Sequence, residues 1–343
     1  MTSPRLFRGL QAIAVPPRRA VVTVGMFDGV HIAHQQLIRL TTRLARRLRG
    51  TSVVITFDPD PQLVLDPSHA PPTLMPLEVR ASFLQALGVD WVWIIPFTKR
   101  FSRMSAEQFV QRILVRQLRA SALIVGEGFV FGRNRRGDMD VLRTLGAQCG
   151  MRIIPVRPIR RDGTPVSSSR IRTLISHGDL TQARRLLGRN PELYGSVVRG
   201  AGRGRRLGFP TVNLQLVSHV LPPQGVYAVM VRTADGTRSW RGVTPPPSSV
   251  RGQRTVSHLE FARGKLLGGG VMNLGVRPTF GPGSLVCEVH LLRCTGTLRG
   301  RSVSVSLVAR LRSERCFSSP QALVHQIRRD VTRARRFLAH RCS

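Results

Sequence analysis

The sequence predicts an α/β, doubly wound parallel-sheet domain followed by an antiparallel β-barrel closed by a C-terminal helix. Three observations carry this. Between Arg19 and Arg157, short apolar runs rich in β-branched residues alternate with longer stretches of helical period. Beyond Gly188-Arg189-Asn190-Pro191 the pattern changes to short strands punctuated by Gly and Pro. A chain of 343 residues also exceeds what one hydrophobic core usually organises.

The strands expected in the first part are Val21 to Phe27, Ser52 to Phe57, Trp91 to Pro96, Ala122 to Val125 and Arg152 to Val156. Between them, His34 to Leu48, Leu77 to Leu87, Ala106 to Leu118 and Met139 to Gly150 repeat apolar residues every three or four positions, as helices that cover a sheet do. Parallel sheets of this kind bind ligands beyond the carboxyl ends of their strands. One more amphipathic helix, Ser169 to Leu187, is stopped by Gly188 and Pro191, which places the domain boundary at 188/189. The expected barrel strands are Tyr194 to Val198, Gly225 to Arg232, Arg238 to Val243, Gly270 to Leu274, Val286 to Leu292 and Ser302 to Leu311, with a final helix over Pro320 to Leu338. The proline-containing, aperiodic stretch from Thr244 to Gly269 reads as an inserted surface loop.

Composition narrows the class. A hydrophobic content of 42% excludes a wholly disordered, collagen-like or low-complexity chain. The 53 basic against 18 acidic residues give a net charge of +35, which attracts polyanions non-specifically. Only Lys99 and Lys265 among them are lysine, the arginines run through the whole chain, and few aromatics are interleaved. A general arginine bias explains this better than a dedicated nucleic-acid interface. Five scattered cysteines without a CxxC pair fit a reducing compartment and offer no zinc cluster. With no signal-peptide-like start and no membrane-length apolar run, a cytoplasmic protein is expected.

The first strand leads into Gly25-Met26-Phe27-Asp28-Gly29-Val30-His31-Ile32-Ala33-His34, with a helix expected to begin near His34. Glycines let the backbone approach a ligand, and a helix start offers N–H groups to phosphate. His31 and His34, three apart, share a face once the helix has begun, and two imidazoles there can donate to phosphate oxygens. By themselves such histidines fit a surface or cap position equally well.

The segment resembles the HxGH nucleotidyltransferase signature, and GMFDGVHIAHQQLI resembles the opening of the prokaryotic bifunctional riboflavin kinase/FAD synthetases. Further landmarks of that family follow in order: Thr56 to Pro61, Val125 to Gly132 with Arg136-Gly137-Asp138, and Val166 to Arg172. The resemblance implies a nucleotidyltransferase domain that moves the adenylyl group of ATP to FMN and releases pyrophosphate. It implies that His31 and His34 act catalytically on ATP phosphates, that Gly25, Phe27, Asp28 and Gly29 line the ATP site, and that Ser167, Ser168, Ser169 and Arg170 hold the triphosphate where the last helix begins. Hydroxyls, N–H groups and a guanidinium at a helix start do form an anion site, although the serines read alone also fit an ordinary N-cap.

The second constellation opens the barrel domain. Gly200 to Gly208 interleaves glycine with arginine, a loop whose amides and guanidiniums can wrap phosphate but which lacks the GK[ST] of a Walker motif. Pro210-Thr211-Val212-Asn213 resembles the PTAN motif of flavokinases. The resemblance implies ATP binding by Gly202, Gly204, Arg205 and Thr211, and Mg2+ held on ATP by Thr211 and Asn213. Hard oxygen donors suit that ion, and the same Thr and Asn also fit a solvated strand face. Val271 to Phe280 and Cys287 to Leu292 resemble the family's GVANIGxRPTF run and catalytic-glutamate strand. Flavin binding by Asn213, Asn273 and Glu288 is implied, with Glu288 as the general base.

The resemblance runs from about Val22 to Arg335 and implies a riboflavin kinase barrel after the adenylyltransferase, with riboflavin, FMN and ATP as ligands, no membrane and no specific nucleic acid; a homo-oligomer stays open. Departures are Ala33 for the usual glycine, Asp60 for histidine, Gly128 for Asn or Asp, and Val130 for a frequent arginine. Two alternatives remain: a riboflavin kinase whose FAD synthesis is weakened or lost through Asp60 and Gly128, and a basic nucleic-acid-binding protein.

Overall fold

A computed structural model describes residues 4–200, 204, 207–217, 220–233, 264–276, 285–292 and 298–339. The chain divides into two compact units, Met1–Pro72 with Leu77–Ser169, and Thr73–Pro76 with Arg170–Ser343.

The first unit holds a six-stranded parallel sheet. Its strands are β1 (Arg5–Arg8), β2 (Val21–Val24), β3 (Ser52–Asp58), β4 (Trp91–Pro96), β5 (Ala122–Gly126) and β6 (Arg152–Val156), in the order β1-β4-β3-β2-β5-β6. Val22, Val24, Leu123 and Val125 pack on one face, whereas Val21, Ala122 and Ile124 pack under the Leu37, Leu40 and Leu44 side chains of helix α1 (Ile32–Arg47) on the other. Two covered faces explain why these strands read as unbroken apolar runs. β2 lies between β3 and β5, so the order reverses at its carboxyl end, where crossovers diverge and open a crevice. Two further helices matter below, α2 (Pro61–Leu65) and α3 (Leu77–Ala86).

Several boundaries differ from expectation. β2 ends at Val24 and not at Phe27, because Phe27 takes a left-handed backbone with φ of 52° and leaves the sheet. Helix α1 begins at Ile32, two residues before His34. The expected helix Ser169 to Leu187 is two, α4 (Ser168–Ser176) and α5 (Leu180–Leu187), separated at Gly178, whose φ is 81°, with Asp179 capping the second through Gln182 N at 3.0 Å. The edge strand β1 was not anticipated from the sequence, since its four residues begin and end on arginine.

The second unit is a closed antiparallel barrel of β6's successors: β7 (Glu192–Val198), β8 (Val212–Leu216), β9 (Gly225–Thr233), β10 (Leu266–Val276), β11 (Leu285–Leu291) and β12 (Ser302–Arg312), closing in the order β8-β11-β10-β9-β12-β7. Closure removes the exposed strand edges that an open sheet would leave. Tyr227, Val229, Met272, Leu274, Cys287, Val289, Val305 and Leu307 fill its interior. Helix α6 (Pro320–Ala339) packs Ala334 and Leu338 on the outer Val226, Ala228 and Val271. The expected strand Arg238 to Val243 lies outside the described residues. The strand β8 was missed. The supposed insertion, for its part, must stop before Leu266, because Leu266 to Gly269 belong to β10 and pair with β9. Three consecutive glycines made that segment read as loop; a methyl on Gly269 would come 2.7 Å from Leu338 Cδ1, so that side chain would have to shift.

Candidate active sites

In the first unit the residues after β2 form a tight, buried turn at the reversal point. Phe27, Gly29 and Val30 have φ of 52°, 80° and 39°, an accumulation of left-handed backbone that persists only where surrounding contacts hold it. His31 is the N-cap of α1, its Nδ1 accepting from the His34 N–H at 3.4 Å. The pair therefore does not sit side by side within the helix. The cap nevertheless folds the His31 ring back onto His34, with ring centroids 3.6 Å apart and planes at 17°. Phe27, itself buried, sets its edge against His34 at 5.2 Å.

His34 is held well below the usual histidine range, chiefly by burial and secondarily by the charges of His31 and Arg80. Its Nδ1 is buried without a hydrogen-bond partner. A neutral imidazole with an unsatisfied buried nitrogen is one that a ligand can satisfy.

One of the serines expected at the last helix, Ser168, reaches this turn. Ser168 Oγ donates to the carbonyl of Asp28 at 2.8 Å, so the start of α4 and the turn after β2 are one assembly. Ser167 precedes α4, while Ser169 and Arg170 lie in its first turn. Gly25 is packed so that a methyl would meet the Phe27 ring at 3.3 Å. Asp60 caps α2 by accepting from Gln62 N at 2.9 Å. A methyl on Gly128 would meet nothing within 4 Å. Sequence reasoning missed Arg80, which is 5% exposed and donates to the carbonyls of Met26 and Phe57. An arginine in a helix whose Val79, Ala81 and Leu84 are all buried was the available signal.

In the second unit, Asn213, Glu288 and Asn273 form one transverse row. Glu288 pairs in register with Asn213 on β8 and with Asn273 on β10. The next row, Leu214, Cys287 and Leu274, points into the barrel, so by strand alternation the polar row lies on the outer face. Cys287 is pushed up to about 12 by burial and then by Glu288, which keeps it an inert thiol.

The glycine loop is shaped around the Thr-Asn pair. A methyl on Gly204 would come 2.9 Å from Thr211 Oγ1 and would strike the Phe209 carbonyl, while one on Gly200 would occupy the space of the Asn213 amide. His290, also missed, donates from Nδ1 to the Pro210 carbonyl at 2.9 Å and stacks edgewise on Phe209 at 5.5 Å, which fixes the segment entering Thr211. Gly202 and Arg205 lie outside the described residues. A Thr hydroxyl and an Asn carbonyl oxygen are a hard, sparse donor set, and among the described residues no group of three His, Cys, Asp or Glu could hold a metal without help. Such a set fits Mg2+, which retains waters and phosphate oxygens for most of its shell.

Two family models match the chain, FAD synthetase over residues 14–170 and riboflavin kinase over residues 187–338. The bifunctional riboflavin kinase/FMN adenylyltransferase of Pseudomonas fluorescens is 36% identical over 336 residues, which span 98% of this chain and 98% of that protein. The chain belongs to the bifunctional riboflavin kinase/FMN adenylyltransferase family. The Escherichia coli K12 member is 33% identical over 334 residues, 97% of each chain. A crystal structure described as a macrolide-efflux protein from Streptococcus pneumoniae shares the fold over 97% of this family member and 99% of that chain, with a TM-score of 0.79 and 26% identity. Among the described residues here, no helix is long and apolar enough to cross a membrane.

Proposed function

We propose that residues 189–343 phosphorylate riboflavin to FMN with ATP and that residues 1–188 adenylylate FMN to FAD with a second ATP, in the cytoplasm. The observation that carries this reading is that each matched family model contains one of the two constellations, FAD synthetase the His31–His34 stack and riboflavin kinase the Asn213–Glu288–Asn273 row. Unpaired thiols at Cys149, Cys287 and Cys316 support the compartment.

In the kinase half, Glu288 takes the proton of the terminal riboflavin hydroxyl as that oxygen bonds the γ-phosphorus of ATP and the bond to the β-phosphate oxygen breaks, releasing ADP. Asn213 and Asn273, flanking Glu288, orient the flavin, while Gly202, Gly204, Arg205 and Thr211 hold ATP. Thr211 and Asn213 would hold Mg2+, which neutralises phosphate charge when bound.

In the transferase half, a phosphate oxygen of FMN bonds the α-phosphorus of ATP and pyrophosphate leaves. No proton need be abstracted, so the residues position and stabilise charge. His31 and His34 donate to phosphate oxygens, Gly25, Phe27, Asp28 and Gly29 line the nucleotide, and Ser167, Ser168, Ser169 and Arg170 grip the triphosphate. The Ser168 bond to Asp28 supports this by joining the two segments.

Incubation of the purified protein with riboflavin, ATP and Mg2+, followed by separation of flavins, tests the reading. FMN followed by FAD is expected. Absence of FMN overturns the kinase half, and FMN without FAD overturns the transferase half.

A further inference from the structure

The turn carrying His31 and His34 is held from beneath by a charge outside every motif. Arg80 on α3 is 5% exposed; its Nη1 donates to the Met26 carbonyl at 2.7 Å and its Nη2 to the Phe57 carbonyl at 3.2 Å. Met26 is the last residue before the left-handed stretch that begins at Phe27, and Phe57 is the penultimate residue of β3, just before the turn into α2. A second donor, Thr56 Oγ1, also reaches the Met26 carbonyl at 3.1 Å. The Met26 carbonyl lies just past the end of β2 and the Phe57 carbonyl near the end of β3, both beyond the last β2–β3 register pair, Val24 with Ile55. A planar guanidinium offers two N–H groups in fixed relation and can span both acceptors, whereas an ammonium is a single point of attachment.

The charge is compensated as well as buried. Burial lowers the proton affinity of Arg80, and the carboxylates of Asp28, Asp58, Asp60 and Glu78 oppose that effect. Asp28 is buried inside the turn, and Asp60 is the residue that departs from the family's histidine. The negative charge that Asp60 brings near a phosphate site is thus partly answered by Arg80.

We propose that Arg80 is a positioning residue for adenylyl transfer: by bridging the Met26 and Phe57 carbonyls it sets the His31–His34 turn in register with the carboxyl end of β3. The inference rests on the reading that this turn grips ATP. A consequence follows for His34, whose charged neighbours are His31 and Arg80: the guanidinium helps keep its ring neutral.

Arg80→Lys and Arg80→Met in the full-length protein test this. The riboflavin kinase activity of the same preparation reports on intact chain, and thermal melting reports folding of the amino-terminal unit. Arg80→Lys is expected to fold, to lose at least five-fold in kcat for adenylylation, and to leave the pH midpoint of the His34 ring resonance unchanged, because the charge stays while one carbonyl is released. Arg80→Met is expected to lose more and to move that midpoint upward, toward the ordinary histidine value. Wild-type kcat in Arg80→Lys overturns the bridging role even where Arg80→Met fails to fold. An unmoved His34 midpoint in folded Arg80→Met overturns the electrostatic part. Should His34→Ala leave adenylylation intact, the reading of the site itself fails, independently of Arg80.

Discussion

Asn213 and Glu288 stand directly opposite one another on paired antiparallel strands, and Asn273 flanks Glu288 on its other side. Side chains so placed share a face about 5 Å apart, close enough for one carboxylate to work beside two amides. A substrate hydroxyl held by such amides would meet a base already fixed by the sheet.

Replacing the base should separate the activities. Glu288→Gln is expected to lower riboflavin phosphorylation by roughly 10²- to 10⁴-fold and to leave adenylylation of supplied FMN within two-fold. Parallel assays with riboflavin and with FMN check this, and full kinase activity in the variant would remove Glu288 from the mechanism.

The glycine loop gives a steric prediction. Gly200→Ala places a methyl where the Asn213 amide sits, so either the loop or the amide must move. A cost of about 1–3 kcal/mol to the barrel's stability is expected, with a raised KM for MgATP in the kinase reaction and no change in adenylylation. Steady-state kinetics of both reactions with a denaturant titration would reveal it.

How much of this was legible in the sequence depends on distance along the chain. The βα alternation, His31 and His34, Thr211 with Asn213, and Glu288 were readable because each lies in a short segment whose residue types suit its chemistry. The assignment of roles leaned on family resemblance. The Asn213–Glu288–Asn273 row was invisible, since register between strands is set by closure of the barrel. Arg80 and His290 were overlooked because each acts on backbone carbonyls, which carry no sequence signal. The N-cap position of His31 was unreadable because it depends on the left-handed turn before it.

Histidine burial makes the first unit sensitive to acid. His34 binds a proton less readily folded than unfolded, so the unfolded state gains protons first as pH falls through about 6.5. Its contribution to stability is complete above that value and is lost as the pH drops further, with a slope of at most ~1.4 kcal/mol per pH unit. Thermal melts from pH 7.5 to 5.5 should show the amino-terminal transition falling, and His34→Gln should flatten that slope. Equal slopes would place the acid sensitivity elsewhere.

Helix α6 is tied to the barrel by a buried ion pair. Arg312 Nη2 lies 2.9 Å from Asp330 Oδ2, with side-chain exposures of 11% and 2%, and Gln326 donates to the other carboxylate oxygen at 2.9 Å. Asp330→Ala leaves a buried guanidinium uncompensated and is expected to cost about 3–5 kcal/mol, read as a lowered melting transition of the second unit. Retention of wild-type stability would show that the helix is held by its apolar contacts alone.

The departures at Asp60 and Gly128 bear on whether FAD synthesis is intact. Since Asp60 caps α2 and faces the field of Arg80, and since Gly128 borders open space, Asp60→His with Gly128→Asn is expected to change FAD formation by no more than a few-fold. The lost cap should cost about 0.5–2 kcal/mol. A large gain in FAD formation would favour a chain whose transferase half has decayed.

Two separate sites on one chain, each using its own ATP, is the central claim, and phosphorus labelling tests it most directly. With riboflavin and ATP labelled at either the γ or the α position, γ label should enter FMN and FAD, and α label should enter FAD alone. His31→Ala with His34→Ala should abolish only the α transfer, whereas Glu288→Gln should abolish γ transfer to riboflavin and leave α transfer to supplied FMN. Loss of γ transfer in the folded histidine variant, or of α transfer to supplied FMN in folded Glu288→Gln, would contradict the account.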